Sequence, residues 1–290
     1  MIMKPITPDL VIKNLPHRPD DAHKGTMGTM LNISGSYSMA GACILSSLSA
    51  LRSGVGLLKV ALPKSIYTIV AQSVYEAVFI PLDDSENGTV STSSLDSLLD
   101  TASQCDSVLL GCGLKWCDDT VSFVKEFVSK CETPLLLDAD GINALSSNID
   151  VLKNAKNVVI TPHVKEMSRL TSLGVEYILE NRVEVAQRFA REYGVTVVLK
   201  GKNTVVTDGE NTFINPTGNS GMAKGGSGDV LSGIIASLMA QKVSPLYAAC
   251  IGVYVHGLAG DLASQMLSKT SMLPRDIVEH LPQIFKAIEE

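Results

Sequence analysis

No two of the six cysteines are spaced as Cys-x-x-Cys. They fall at positions 43, 105, 112, 117, 131 and 250, and the nearest pair, Cys112 and Cys117, has no histidine or second pair beside it to complete a metal site. Scattered in this way over 290 residues, they read as reduced thiols rather than a disulfide framework. Surplus positive charge is missing too. The 24 Lys and Arg against 30 Asp and Glu leave a formal net charge of −6, which argues against binding nucleic acid through basic residues. An anionic small molecule would need local donors, because the overall field repels it. The opening Met1-Ile2-Met3-Lys4-Pro5 lacks the basic region and apolar run of a secretory signal. No apolar run reads as long enough to span a bilayer, and 229–241 is amphipathic and too short. The expectation is a cytoplasmic protein with neither nucleic acid nor membrane as a partner. Two common phosphate loops are absent as well: there is no G-x-x-x-x-G-K-[ST], and no G-x-G-x-x-G after the first strand.

What is present is a 45% apolar chain, ample for a core on both sides of a sheet. Short runs rich in Val, Ile and Leu recur at Met30–Ser34, Leu57–Ala61, Ala77–Pro81, Ser107–Gly111, Pro134–Asp138, Asn157–Thr161 and Val195–Leu199. Several do not alternate, as befits strands buried on both faces. Helical patterns lie between them at Gly41–Ser53, Lys64–Val74, Ser94–Ser103, Asp118–Lys130 and Glu176–Tyr193. Alternation of this kind predicts an α/β protein with a mainly parallel sheet. Beyond Leu199 the pattern predicts a hairpin, Asn203–Thr207 and Asn211–Asn215 turning at Asp208-Gly209. A glycine-rich stretch follows, then helices at Asp229–Gln241, Pro245–Leu267 and Pro274–Ile288. No linker or repeat marks a boundary, so residues 1–290 read as a single domain.

Chemistry concentrates at a few strand ends. In Gly225-Gly226-Ser227-Gly228-Asp229 the glycines let the backbone approach a ligand, and the helix start that follows offers unpaired N–H groups to a phosphate. Asp229 sits at the mouth of that site, as an acid/base group or as a helix cap. Lys200 and Lys202 flank Gly201 after a strand, either as ligand-directed charges or as solvated side chains. His163 and Glu166 follow another strand. One reading gives His163 a hydrogen bond to substrate and Glu166 a place near a metal-bound water; the other leaves them as a solvated loop residue and a first-turn helix residue. Small residues at Gly41-Ala42 and Gly111-Cys112-Gly113 suit a flat ligand or tight packing equally. Asp138 and Asp140 are paired carboxylates at a strand end, open to Mg²⁺, a polar ligand or a helix cap.

Taken together, the segments KGTMGTMLNISGS, AGACILSSLSALRSGVGLL, GCGL, LDADGINAL, TPHVKE, VVLKGKNT and NPTGNSGMAKGGSGD resemble the ribokinase-like superfamily. More narrowly, they resemble its ADP- or ATP-dependent NAD(P)H-hydrate dehydratases, over a range from His23 to Gly257. The resemblance implies a three-layer α/β/α fold and a nicotinamide-nucleotide repair reaction. In it, a nucleotide phosphoryl group activates the hydroxyl of the S-epimer of NAD(P)H hydrate, phosphate leaves, and the ring double bond returns. It further implies ADP as donor (ATP being the other choice), Mg²⁺, a likeness to homotetramers, and coupling to an epimerase that resides elsewhere.

Residue by residue, Ala42, Gly113, His163 and Asp229 resemble the hydrate-contacting positions. Lys200, Gly201, Lys202, Asn203, Thr204 and Gly228 resemble the AMP site. The resemblance makes Asp229 the acid/base group, the amides of Gly226, Ser227 and Gly228 oxyanion-type donors, and Glu166 a residue that organises Mg²⁺. The chain departs from the pattern at Val164-Lys165, where relatives often carry Pro-Gly, and at Cys112, where they often carry Pro; both changes alter loop stiffness. The rival activity on this fold is a vitamin-precursor kinase, and a non-catalytic nucleotide-binding module is a third reading.

Overall fold

The computed structural model describes residues 3–290. A two-residue β1 (Lys4–Pro5), announced by no apolar run, comes first. The seven anticipated strands follow, their ends moved by a residue or so: β2 (Thr29–Ile33), β3 (Leu57–Pro63), β4 (Val78–Leu82), β5 (Ser107–Leu110), β6 (Leu135–Leu137), β7 (Val158–Ile160) and β8 (Thr196–Leu199). The hairpin is β9 (Val205–Thr207) and β10 (Thr212–Ile214). All join one sheet in the order β1-β10-β9-β8-β7-β6-β5-β2-β3-β4. Pairings from β4 through β8 are parallel, and only those of β9 are antiparallel.

The helices, in chain order, are α1 (Pro8–Asn14), α2 (Ala40–Arg52), α3 (Lys64–Ala71), α4 (Leu95–Ser103), α5 (Asp118–Lys130), α6 (Asp140–Ala144), α7 (Val164–Thr171), α8 (Val175–Glu180), α9 (Arg182–Tyr193), α10 (Ser227–Ala240), α11 (Pro245–Met266) and α12 (Pro274–Glu289). The strands divide their side chains between two cores with the period of two that a pleated strand imposes. Leu109, Leu136, Val159 and Val198 enter the core under α1–α3 and α10–α12. Their neighbours Leu110, Leu137, Ile160 and Val197 enter the core under α4–α9. The result is the anticipated three-layer α/β/α arrangement.

Three expectations need correction. The helix over 176–193 is two helices, broken at Asn181, whose side chain turns back to donate to the carbonyl of Tyr177 at 2.9 Å. The helices α1, α6 and α7 lay in stretches with no clear helical period. Finally, α11 does have the length and composition to cross a membrane, yet 78% of its apolar window is buried inside the protein. It is read as a core helix.

The order of the sheet fixes where ligands bind. The chain runs outward from β2 to β3 and β4, then restarts at β5 and runs the other way to β8. Connections on the two sides of β2 and β5 therefore diverge, leaving a crevice beyond their carboxyl ends, the usual ligand site of such sheets. Roofing this crevice, α10 crosses α2 at Gly233. A Cβ there would lie 2.1 Å from both the Ser46 carbonyl oxygen and Ser49 Oγ. Gly233→Ala is expected to lower stability by about 1–3 kcal/mol through overpacking, read as a fall in Tm. Gly174→Ala, at a position with nothing within 4 Å, is expected to stay within about 0.5 kcal/mol of the parent.

Candidate active site

Asp138, the residue after β6, is the centre of the crevice. It is 1% exposed, and a bare carboxylate at that depth is untenable without partners. Three elements supply them. Thr161 after β7 donates to Oδ1 at 2.7 Å, Lys200 after β8 donates its ammonium to Oδ1 at 2.7 Å, and Ser232 of α10 donates to Oδ2 at 2.8 Å. Burial raises the Asp138 pKa, but the charge and hydrogen bond of Lys200, with the two hydroxyls, outweigh it and hold the carboxyl below its usual range. Lys200 is desolvated yet held above its ordinary value by Asp138 and Glu166.

Between Asp138 and Asp140 the backbone turns sharply at Ala139, with φ 50° and ψ −114°. A non-glycine residue there costs about 1–3 kcal/mol. The turn sends the two carboxylates apart: Asp138 faces Lys200, while Asp140 accepts the Lys115 amide at 2.8 Å. Each carboxylate is thus engaged by its own partner, while the charges of both still act on Asp229.

Next to this ion pair, α10 begins. Gly226 is its N-cap, with φ 101°, a left-handed value that favours glycine. Nothing lies within 4 Å of a Cβ built on Gly225, so that stretch is open. A Cβ on Gly228 would reach 3.4 Å from Lys200 Nζ and 3.5 Å from Asp138 Oδ2, which places the first turn of α10 directly over the pair. The cap being Gly226, Asp229 is the third helical residue and not the cap. Burial, then the adjacent charge of Asp138, pushes its pKa up to about 6. The Ser227 amide donates to the Lys224 carbonyl at 3.2 Å, which leaves the amides of Gly226 and Gly228 without a backbone acceptor among the described residues; a carboxylate near neutrality beside them suits proton transfer at a phosphorylated centre.

The loop ahead of α10 is firmly tied down. Thr217 donates to the Tyr254 carbonyl at 3.0 Å, Asn219 donates to Asp261 Oδ1 at 2.8 Å, and Lys224 donates to the Thr270 carbonyl at 2.7 Å.

Opposite Asp229, β5 and α2 meet through the anticipated small residues. Gly113, φ 67°, lies so close to Ala42 that a Cβ would approach Ala42 Cβ to 2.7 Å. His163 and Glu166 begin α7 as a capping box. The Lys165 and Glu166 amides donate to His163 Nδ1 at 3.1 Å, and the His163 amide donates to Glu166 Oε2 at 2.7 Å. His163 Nε2 is 3.4 Å from Glu166 Oε1. Burial and Lys200 lower the imidazole pKa below its ordinary value. Burial pushes Glu166 up to about 7 despite Lys200 Nζ 3.9 Å away.

The run Lys200–Thr204 divides. Lys200 turns inward, whereas Gly201, Lys202 and Asn203 are exposed on the rim. Arg182 shapes that rim from behind, donating to the carbonyls of Leu199 at 2.8 Å and Asn203 at 3.3 Å. Sequence reasoning missed Arg182, Thr161 and Ser232, whose partners lie 17 to 94 residues away.

The NAD(P)H-hydrate dehydratase family profile matches residues 30–283. This chain belongs to that family. An ADP-dependent (S)-NAD(P)H-hydrate dehydratase of Cenarchaeum symbiosum is 34% identical over 296 residues, covering 100% of this chain and 99% of that protein. A bifunctional NAD(P)H-hydrate repair enzyme Nnr of Moorella thermoacetica is 39% identical, and there the match covers 95% of this chain but 52% of the relative. The chain thus spans about half the length of several curated relatives it matches. Among solved structures, the Bacillus subtilis ADP/ATP-dependent NAD(P)H-hydrate dehydratase co-crystallised with ATP/Mg²⁺ superimposes with TM-score 0.83 at 28% identity, covering 99% of both chains. A ribokinase-like superfamily protein of Enterococcus faecalis gives TM-score 0.86 at 29% identity, over 99% of this chain and 96% of that one.

Within this dehydratase-family site, Cys112 replaces the frequent proline with a buried thiol 4.0 Å from Asp138 Oδ2. Burial, with Asp229 and Asp138 close by, holds the thiol well above its ordinary pKa. With both carboxylates it forms a trio whose ligand atoms lie within 4.8 Å of one another. A protonated thiol is a poor donor for a hard cation, and Asp138 is already saturated, so this trio does not suit Mg²⁺.

Two outcomes follow for stability. Lys200→Met strands Asp138 as a buried charge and is expected to cost about 3–5 kcal/mol, with Lys200→Met/Asp138→Asn recovering most of it, read by denaturant unfolding. Asp229→Asn is expected to stabilise. The wild-type carboxyl releases its proton near pH 4 when unfolded but near pH 6 when folded, so wild-type stability falls as pH rises between those values. The variant's Tm should match wild type below pH 4 and exceed it above pH 6, by roughly 3 kcal/mol in stability. Equal values at alkaline pH would show that Asp229 is not destabilised by its surroundings.

Proposed function

We propose that this chain is an ADP-dependent hydro-lyase that returns the S-epimer of NAD(P)H hydrate to NADH or NADPH, releasing AMP and phosphate, with residues 1–290 acting as one unit. The observation that carries this reading is Asp229: a half-buried carboxylate with a pKa of about 6 at the first turn of α10. The Gly113–Ala42 wall across the crevice is its complement. ADP use is supported by the names of the full-length relatives, and ATP by the structural neighbour.

The nicotinamide ring lies against the wall that Gly113 and Ala42 make by packing directly on one another; the room at Gly113 is taken by Ala42 and Met39, so the wall offers a surface and not a slot. The ring hydroxyl faces Asp229, which accepts the hydroxyl proton as that oxygen attacks the terminal phosphoryl group. The N–H groups of Gly226 and Gly228 hold the charge that grows on the phosphoryl oxygens, whereas the Ser227 N–H, also expected as a donor, is already given to the Lys224 carbonyl at 3.2 Å. The AMP portion leaves through the rim formed by Gly201, Lys202, Asn203 and Thr204. Hydroxide is a poor leaving group and phosphate a good one. Once esterified, the ring loses phosphate and a ring proton, and the double bond returns.

Mg²⁺ is usually held by one or two carboxylates together with substrate phosphates and water. Glu166, buried at the start of α7 with Oε2 already accepting the His163 amide, would offer Oε1 to such an ion, with Lys200 beside it to balance charge. When bound, the ion would neutralise phosphate charge. The imidazole of His163 is held by its Nδ1 capping bonds, with Nε2 3.4 Å from Glu166 Oε1.

The matching relatives of about twice this length are bifunctional, which supports coupling to a separate epimerase. The free cysteines fit a reducing cytoplasm. The homotetramer rests on the resemblance alone.

Asp229→Asn is expected to lose about a hundred-fold or more in turnover, with ADP affinity nearly unchanged. Recovery of the near-ultraviolet absorbance of reduced nicotinamide from the hydrate and ADP reads the reaction. In the wild type, turnover should fall as pH drops through about 6, when Asp229 becomes protonated. A stable phosphorylated thiazole or pyrimidine product, with no recovered absorbance, would establish the kinase instead.

A further inference from the structure

The only tryptophan of the chain is on the surface. Trp116, 51% exposed, sits three residues past Gly113 in the loop that leaves β5. That loop is held in a defined shape. Lys115, at φ 67°, donates its amide to Asp140 Oδ2 at 2.8 Å and its ammonium to the Asn87 carbonyl at 3.1 Å. Over the indole lies the guanidinium of Arg169, 5.4 Å from the ring centroid, and Arg169 Nη1 donates to Asn143 Oδ1 at 2.8 Å. Among the described residues no carboxylate forms an ion pair with Arg169. Its charge nevertheless reaches the crevice, where both His163 and Glu166 feel it.

Exposed arginines gain little from an indole alone. One flattened on an aromatic ring and fixed by an amide, with further N–H donors left over, is preorganised for a phosphate. In an acidic protein such a donor is what an anion requires. A dinucleotide whose nicotinamide rests against Gly113 has sugars and phosphates to place outside the crevice, and the loop that continues from Gly113 carries Trp116 three residues on.

We propose that Arg169 and Trp116 form a subsite for the second half of the dinucleotide hydrate, Arg169 binding a phosphate and Trp116 offering its ring for stacking. This rests on the repair reading above. The subsite takes a phosphate-bearing dinucleotide and is indifferent to the mononucleotide. The phosphate is the adenosine-side phosphate of the bridging diphosphate, which the mononucleotide lacks, if NADH and NADPH are affected alike, and the 2′-phosphate if NADPH alone is affected.

The test pairs a binding readout with a kinetic one on Arg169→Ala and Trp116→Ala, both at exposed positions. Calorimetric titration with NADH, NADPH and reduced nicotinamide mononucleotide measures the subsite without turnover. About a ten-fold weaker Kd for at least one dinucleotide is expected for Arg169→Ala, the scale of one charge-assisted hydrogen bond, with mononucleotide binding unchanged. In turnover, KM for the corresponding hydrate should rise by a similar factor while kcat and the KM for ADP hold. Arg169→Lys should restore part of the loss. Equal weakening of mononucleotide and dinucleotide, or no change in either, overturns the subsite. A wild type that binds the dinucleotides but dehydrates no hydrate defeats the repair reading and leaves the subsite result standing.

Discussion

The buried ion pair of Lys200 with Asp138 is the contact on which the site depends. It joins the ends of two strands that are not neighbours, β6 and β8, across β7, and the same carboxylate takes a hydroxyl from β7's end and another from α10. Four elements thus share one charged group. Isolating two ions from water costs several kcal/mol each, returned only when geometry and extra hydrogen bonds are good. An apolar pair of similar volume would close the sheet end as well, so stability alone does not explain this arrangement. Its value lies in the field it leaves in the crevice.

That field has two parts. The ammonium is matched by Asp138, so a carboxylate added nearby meets a nearly neutral pair together with a low-dielectric wall. Asp229 is such a carboxylate: desolvation and the Asp138 charge both raise its pKa, and the Lys200 charge only partly opposes them. Glu166, on the far side of Lys200, is raised for the same first reason. Two acids near neutrality and one strongly ionised acid therefore occupy a single crevice, separated by environment and not by residue type. Positive charge from the helix start and the free amides of Gly226 and Gly228 would supply what an incoming phosphate needs, in a molecule whose overall charge of −6 would turn it away.

Much of this was legible before any coordinates, and the division is physical. Strands buried on both faces advertise themselves as apolar runs, so seven of ten were plain. The glycine loop and Asp229 are local, since a helix start and its cap lie within a few residues of one another. What escaped was either short or nonlocal. Nothing in the sequence around Arg182 points to the carbonyls of Leu199 and Asn203. Ser232 reads as one small polar residue in an apolar helix until the sheet brings Asp138 beneath it. His163 was visible as a candidate, but its use of Nδ1 to cap α7 was not, because Asn, Asp, Ser and Thr are the residues that usually signal a cap. Asn181 breaks a helical period without glycine or proline, so periodicity ran straight through it.

The fold itself leaves the reaction undecided. A hydroxyethylthiazole kinase of Pyrococcus horikoshii shares it at TM-score 0.60 with 17% identity, and a scaffold of this kind hosts more than one chemistry. A kinase and the proposed dehydratase need the same opening step: a hydroxyl beside a carboxylate, facing a phosphoryl group held by helix-start amides. They part only in what the phosphorylated product does next. A primary alcohol keeps its phosphate. A hydroxyl on a saturated carbon of a reduced nicotinamide ring, once esterified, is expelled because the ring regains conjugation. On the proposed reading, the machinery built around Asp138 and Asp229 is that of a phosphoryl transferase, and the elimination is a property of the molecule it would phosphorylate. What distinguishes one activity from the other must then lie in the wall that selects the ring, the close approach of Gly113 to Ala42, and not in the charged centre.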